Sequence, residues 1–194
     1  MATVFIMEAA NLFAGDGEQG TAQSNHLQLT EVKLPGLEEN FADHVATGAP
    51  VAVEFDTHML RLEVTFNLAG WQREVMTLIA RSEKLLQHYT IYGLIRDRRS
   101  GEAQEAIAVL EGRLGRVNPT NFRSGDLQQL EYSIRNITAY SLEWPKGNII
   151  YDWDYFASIR MIGGIDVDED MRTILRIPPG PRGGGPGVAG GGIL

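Results

Sequence analysis

The chain has 194 residues, of which 43% are hydrophobic, and its 25 acidic and 17 basic side chains give a formal net charge of -8. This size suffices for one core with elaborations, and the acidic balance argues against a general nucleic-acid-binding surface, which needs clustered Lys and Arg. Because the chain has no cysteine, disulfides and thiolate metal sites are excluded. No apolar run reaches the roughly 20 residues that span a bilayer, and no basic segment precedes the apolar N-terminus, so we expect neither a membrane partner nor a secretory signal.

The first fifty residues predict short elements separated by loops. After the apolar start, residues 15–23 are rich in Gly, Gln and Asp and predict a loop. Residues 27–35 alternate in polarity and end at Pro35, which predicts a strand. Residues 36–50 carry two glycines, a proline and charges without periodicity, so we expect one long loop there.

The clearest strand pattern covers residues 60–68, in which large apolar residues occupy every second position. The polarity then changes to a helical period over residues 71–80, which predicts a short amphipathic helix against the sheet. The polar face of the predicted strand carries Arg61, Glu63, Thr65 and Asn67.

Long strand patterns dominate the second half of the chain. Residues 85–97 and 103–118 flank a Ser-Gly turn and predict a hairpin. A third long strand is predicted at 127–144 and a shorter one at 148–156. The pattern therefore predicts a mainly β fold, a sandwich or barrel with one main peripheral α-helix. The polar face of the third long strand carries Gln129, Glu131, Ser133 and Arg135.

The last seventeen residues are almost entirely Gly and Pro. Such a segment buries little apolar surface against a large cost in chain entropy. We therefore divide the chain into a β domain at residues 1–177 and a flexible extension at 178–194.

Three aspartates, Asp166, Asp168 and Asp170, have the spacing of a calcium loop. The rest of that motif fails, because Met171 stands where the sharp-turn glycine is required and Ile177 where the bidentate glutamate is required. We interpret the acidic cluster instead as the negatively charged start of a helix over residues 168–176.

Asp152 and Asp154 form another pair of carboxylates, about 7 Å apart on one face of a strand. Such a pair could act in acid/base catalysis, but nothing around it indicates a cleft, so the solvated face of a half-buried strand is the preferred interpretation. The histidines lack ligand spacing, and no phosphate loop or nucleophile elbow occurs. We predict no catalytic, cofactor-binding or metal-binding residue, no cofactor and no enzyme activity. The four histidines are His26, His44, His58 and His88.

The order of several motifs resembles the major tail tube proteins of contractile-tailed bacteriophages, which are related to R-type bacteriocin and type VI secretion tubes. The motifs are NLFAGDG (11–17), the strand ending in LP (34–35), the GAP loop (48–50), VAVEFDTHMLRLEVTFNLAGW (51–71), the long hairpin, and YDWDYFASIRMIGGIDVDEDMRTIL (151–175). The resemblance implies six-subunit rings that stack into a tube, in which each subunit gives strands to a continuous inner barrel.

The resemblance also implies partners and a location. The partners are other copies of the chain, the tail sheath protein, the baseplate initiator, the tail terminator, and the tape measure protein and transiting DNA, which occupy the lumen without specific binding. The location is the virion tail, assembled in the host cytoplasm. Four strands from each of six subunits give a barrel about 37 Å across, wide enough for duplex DNA. An acidic lumen would let DNA pass without sticking.

Two surfaces follow as candidates. The polar positions of the strands at 60–68 and 127–144 are predicted to face the lumen or an interface, and alternation alone leaves open which strands face the lumen. These positions are Arg61, Glu63, Thr65, Asn67, Gln129, Glu131, Ser133 and Arg135. The loop at 36–50, with Gly36, Gly48 and Pro50, is predicted to lie between stacked rings. Two other functions remain open: the tube of a DNA-free injection system, and a soluble β-barrel binding module or small enzyme using Asp152 and Asp154.

Overall fold

A computed structural model describes residues 3–14, 24–48, 50–79, 86–119, 124–125 and 127–178. Antiparallel strands dominate these residues, which confirms the predicted mainly β class. The elements are β1 (Phe5–Ala14), β2 (Leu29–Lys33), β3 (Glu39–His44), β4 (Val53–Met59), β5 (Val64–Ala69), α1 (Arg73–Met76), β6 (Gln87–Asp97), β7 (Ala103–Pro119), β8 (Gln129–Glu143), β9 (Ile149–Asp154), β10 (Ile159–Ile162), β11 (Ile165–Asp166) and α2 (Glu169–Leu175).

The main sheet has the order β1-β6-β7-β8-β9-β10-β11, and β2 and β5 branch from it because β5 also pairs with β8. Strand β8 is long enough to hold two partners along the same edge. Its first part, residues 129–134, pairs with β5, whereas its last part, residues 139–143, pairs with β9. The long strands β7 and β8 therefore take part in two layers, which face each other across one core.

The two layers separate at a bend in β7 and β8. Register shifts interrupt their pairing near Gly112, and Asn136 adopts a left-handed backbone with φ 50°. Gly112 lies so close to β8 that an added Cβ would stand 3.0 Å from Cγ2 of Ile134 and 3.1 Å from the carbonyl oxygen of Arg135. A side chain at this position would therefore hold the strands apart where they cross from one layer to the other.

Alternation fills the core from both layers. In β5 the buried residues are Val64, Phe66 and Leu68, as the sequence pattern predicts. The ring of Phe66 stacks on Tyr132 of β8 with centroids 5.0 Å apart, and Tyr89 of β6 is fully buried in the opposite layer. Near the other edge, Asn25 donates its backbone N–H and its side-chain amide to the carbonyl oxygen of Leu12, which ties the approach to β2 against β1.

The predicted long loop at 36–50 is wrong, because its middle forms strand β3. Among the described strands β3 pairs only with β4, and the two make a separate two-stranded hairpin, here called the arm. Both faces of the arm are largely exposed. The sequence pattern missed β3 because its hydrogen bonds and its register come from β4 rather than from a buried face, so it lacks a sustained apolar alternation.

The helices differ in length from the prediction. α1 covers only four residues of the predicted 71–80 and buries Val75 alone, since residues 77–79 form a turn and Thr77 donates its hydroxyl to the carbonyl oxygen of Glu74. α2 is the longer helix and matches the predicted C-terminal one. No helix among the described residues is long and apolar enough to cross a membrane. The predicted extension at 178–194 lies outside the described residues, apart from Pro178.

Candidate functional site: two polar sheet faces

Most of the predicted surface residues come together on one face of the layer formed by β2, β5, β8 and the end of β7. Thr65 lies opposite Ser133, and Asn67 lies opposite Glu131, so alternation in two separate strands selects the same face. Gln129 ends this row opposite Ala69. The register adds neighbours that the sequence prediction did not include, namely Glu31 and Lys33 from β2 and Arg113, Arg116 and Asn118 from β7. We call this surface the mixed face.

Two ion pairs lie on the mixed face. Ser133, which is fully buried, donates its hydroxyl to Oε1 of Glu63 at 2.6 Å, and Arg135 donates to the same oxygen through Nη2 at 3.0 Å. The Ser133 hydrogen bond, followed by Arg135, holds the pKa of Glu63 below its usual value despite the opposing effect of burial. Arg116 is ion-paired to Glu131. Three carboxylates and four cations thus share this surface, which is not acidic.

Arg61 lines a cleft of about 700 Å³ between the base of the arm and the bend of β8, and Glu63 and Arg135 of the mixed face line it as well. The cleft is also lined by His58, Tyr151 and Arg160. Asp152 and Asp154 do not line this cleft. Among the described residues no group of three or more His, Cys, Asp or Glu side chains could hold a metal ion.

A second polar face lies on the outer side of the layer formed by β6, β7, β8 and β9. Pairing places His88 opposite Glu111, and Ser141 opposite both Val109 and Asp152. The alternate positions, such as Leu110 and Tyr140, point into the core. We call this outer side the acidic face. Its carboxylates are Glu105, Glu111, Glu143, Asp152 and Asp154.

Cations are missing from the central segments of the acidic face, and Arg96 near the end of β6 is ion-paired to Glu8. The segments 87–95, 103–112, 137–143 and 149–154 contain no Lys or Arg. Lys146, in the turn after β8, reaches Glu105 at 3.0 Å at one end of the face. The sequence patterns predicted these strands. The carboxylates, however, come from three different strands, and only the pairing register shows that they share one side.

Asp154 differs from the predicted solvated strand face. It is 7% exposed, and its Oδ1 accepts the backbone N–H of Ala157 at 2.8 Å. That hydrogen bond closes the turn between β9 and β10. Its neighbour Asp152 is only partly buried, so the two carboxylates have different environments although they share one face.

The other aspartate cluster anchors α2. Arg172 forms an ion pair with Asp166 and also donates to the carbonyl oxygen of Ser158 at 2.7 Å, while Arg160 donates to Asp168 at 2.9 Å. Asp168 is the N-cap residue, but its side chain makes no capping hydrogen bond. The interpretation as a helix start is therefore confirmed, and the carboxylates bind arginines across the end of the sheet.

One of two similar solved structures reaches a TM-score above 0.5 and has a similar fold. A chain in the cryo-EM structure of an extracellular contractile injection system, the PVC sheath-tube complex in its extended state, aligns with a TM-score of 0.51 and 10% identity over 70% of this chain and 88% of that one. A chain of the PVC sheath/tube terminator in the extended state aligns with a TM-score of 0.47 and 9% identity over 66% of this chain and 91% of that one. No curated protein sequence matches the chain. The family model described as phage tail tube protein FII matches residues 8–175, and the chain therefore belongs to that family of structural tail tube proteins.

Proposed function

We propose that the protein forms hexameric rings that stack into the inner tube of a contractile phage tail and conduct DNA during ejection. The family match over residues 8–175 is the observation that carries this proposal. The long antiparallel strands support it, because β6 to β9 present four neighbouring strands to one side, the number that a six-subunit barrel of the required width needs.

The acidic face is the better candidate for the wall of the lumen. Duplex DNA carries a dense row of phosphates, so a conducting wall must avoid clustered cations. The acidic face has five carboxylates, and the segments 87–95, 103–112, 137–143 and 149–154 of its strands contain no Lys or Arg, whereas the mixed face carries four cations, of which Arg116 and Arg135 are ion-paired. The eight predicted residues are therefore assigned in this proposal to an interface between subunits or with the sheath, and three of them, Arg61, Glu63 and Arg135, also line the cleft.

The arm takes the place of the predicted inter-ring loop. Gly36 precedes it, and Gly48 and Pro50 lie at its tip between β3 and β4. An isolated two-stranded hairpin is marginal in water, and its exposed apolar residues favour contact with another subunit. In this proposal the arm spans neighbouring rings. The sheath, the baseplate initiator and the terminator contact the assembled tube.

Negative-stain microscopy of the purified full chain tests the assembly. Rings with six-fold symmetry, and tubes at high concentration, are expected. Particles that remain monomeric at every concentration and with a tail initiator present would refute the proposal.

The lumen wall is tested by charge reversal. Tubes of Glu111→Lys with Glu143→Lys are expected to retain DNA that nuclease cannot digest, because the added cations bind phosphate inside the tube. The matched control is Glu31→Lys with Glu131→Lys on the mixed face, for which any retained DNA should be digestible. Protected DNA in the control alone would mean that the mixed face lines the lumen.

A second candidate function is the tube of a DNA-free injection system. The similar fold in the extracellular contractile injection system supports this candidate. The two differ in what the particle contains. Genome inside the purified native particle would support the phage tail, and particles without a head or nucleic acid would support the injection system.

A further inference from the structure

The arm has two chemically different faces. Paired residues of an antiparallel hairpin point to the same side, so Ala42 with Phe55 and His44 with Val53 form one face, which is apolar except for His44. Asp43 with Glu54 and Phe41 with Asp56 lie on the opposite side, which carries three carboxylates beside Phe41. Phe55 is 55% exposed and Val53 is 53% exposed. The arm thus presents an apolar surface that its own subunit leaves uncovered.

The first half of β1 is the second uncovered apolar surface. Val4, Phe5, Ile6 and Met7 are all more than a third exposed, and Leu94 of the neighbouring β6 is 37% exposed. We call these five residues the β1 head. Residues of both β1 faces are therefore apolar and open to solvent, a pattern typical of a strand that becomes buried in an assembly.

The β1 head is held in a defined shape. Phe5 packs edge-on against Trp144 with ring centroids 4.8 Å apart. Met7 lies over Gly93, where an added Cβ would stand 2.9 Å from its Cε. Arg98 donates its backbone N–H to the carbonyl oxygen of Val4 at 2.9 Å, which fixes the start of β1 beside the turn between β6 and β7.

A third apolar surface competes for the arm. On α2 and β11, Ile165, Ile174 and Leu175 are each more than 60% exposed. Glu169 and Asp170 are exposed beside them and outnumber the exposed Arg176. Charge therefore separates the two possible receptors.

The arm is acidic throughout: residues 39–59 contain four carboxylates, Glu39, Asp43, Glu54 and Asp56, and no Lys or Arg. Like charges disfavour its docking on α2. Beside the β1 head, Arg98 and Arg99 are exposed and outnumber the one exposed carboxylate of that turn, Glu102. Neither guanidinium forms an ion pair with another of the described residues.

We infer that the apolar face of the arm docks on the β1 head of a second copy of the chain, and that the exposed Arg98 and Arg99 beside this head attract the acidic arm. This inference rests on the proposed tube and names the receptor for its arm. Docking covers Phe55 and Val53 together with Phe5 and Met7, and it brings the acidic arm close to the exposed Arg98 and Arg99. The α2 surface then remains free for a different partner.

Because the chain lacks cysteine, thiol cross-linking tests this contact directly. Subunits carrying only Phe55→Cys are mixed with subunits carrying only Met7→Cys, assembled, and treated with a short bis-maleimide. A covalent dimer of two different chains is expected. The matched control mixes Phe55→Cys subunits with Ile174→Cys subunits, and its yield of covalent dimer should not exceed that of random cross-linking between exposed thiols.

Charge reversal provides a second measurement that does not depend on linker geometry. Arg98→Glu with Arg99→Glu should abolish tube formation, and mixing in subunits with Asp43→Arg and Glu54→Arg should restore it. Dimers with Ile174→Cys instead of Met7→Cys, in tubes of normal appearance, would overturn the docking site and leave the tube function standing. Cross-linking within a monomeric double variant, Met7→Cys with Phe55→Cys, would mean that the arm folds onto its own subunit. Absence of rings or tubes from the unmodified chain would instead refute the proposed function itself.

Discussion

Substitution of Gly112 by alanine should destabilise the subunit, because this glycine lies where β7 crosses between the two layers. The added Cβ would stand 3.0 Å from Cγ2 of Ile134, 3.1 Å from the backbone oxygen of Arg135 and 3.2 Å from Cγ1 of Ile137. Carbon contacts are optimal at about 3.5–4.0 Å, and a backbone oxygen cannot turn away as a side chain can. Gly112→Ala must therefore push β7 away from β8.

Overpacking of this kind costs about 1–3 kcal/mol, and the loss of glycine entropy in the unfolded chain returns about 0.4–1 kcal/mol. We expect a net loss of about 1–2 kcal/mol in the free energy of unfolding, or roughly 2–8 °C in the melting temperature for a chain of this size. Urea unfolding of the isolated subunit, followed by circular dichroism, measures this change.

Two other glycines provide matched controls. The atoms nearest to an added Cβ at Gly115 belong to the side chain of Arg135, at 3.3 Å or more, which is a looser approach than at Gly112 and involves no backbone oxygen among these nearest atoms. At Gly36 an added Cβ meets nothing within 4 Å. The expected order of destabilisation is Gly112→Ala, then Gly115→Ala, then Gly36→Ala, which should be neutral or slightly stabilising. Equal stability of the Gly112 and Gly36 variants would refute the reasoning that close approach at the bend requires glycine.

Three further predictions concern the core, the mixed face and α2. Phe66→Ala should lower the free energy of unfolding of the isolated subunit by about 3–5 kcal/mol, because Phe66 is 1% exposed and stacks in the core. Phe55→Ala should change monomer stability by less than about 0.5 kcal/mol and weaken assembly. Similar melting temperatures for the two variants would contradict this prediction. Since the folded-state pKa of Glu63 is lowered from 4.5, its stabilisation is present above that pH and is lost as the pH falls through the folded pKa. Glu63→Gln should therefore lower the free energy of unfolding by about 1 kcal/mol at pH 7 and progressively less below pH 4.5, and a difference that stays constant down to pH 3 would argue against it. Arg172→Gln should speed amide hydrogen exchange in α2, which buries no residue and is held by this arginine, and unchanged exchange would mean that other contacts anchor the helix.

The sequence alone determined the features that depend on local periodicity. Residues 62–68 alternate between core and surface as predicted, because the side-chain period of a strand depends only on the chain itself. The long hairpin of β6 and β7, the strand β8 and the helix after Asp168 were also predictable, and the failed calcium spacing correctly pointed to a helix start. The resemblance to tail tube proteins came from the order of such motifs, and the family match confirms it.

Only the tertiary structure decided what depends on register between distant strands. β3 has no buried face of its own, so its pairing with β4 is invisible to a pattern of apolar alternation. The carboxylates Glu111, Glu143 and Asp152 lie on three different strands, and alternation gives each strand two faces without saying which faces coincide. Because a shift of one residue in register would move every side chain to the other side of the sheet, the division into an acidic face and a mixed face is a property of strand pairing, not of composition.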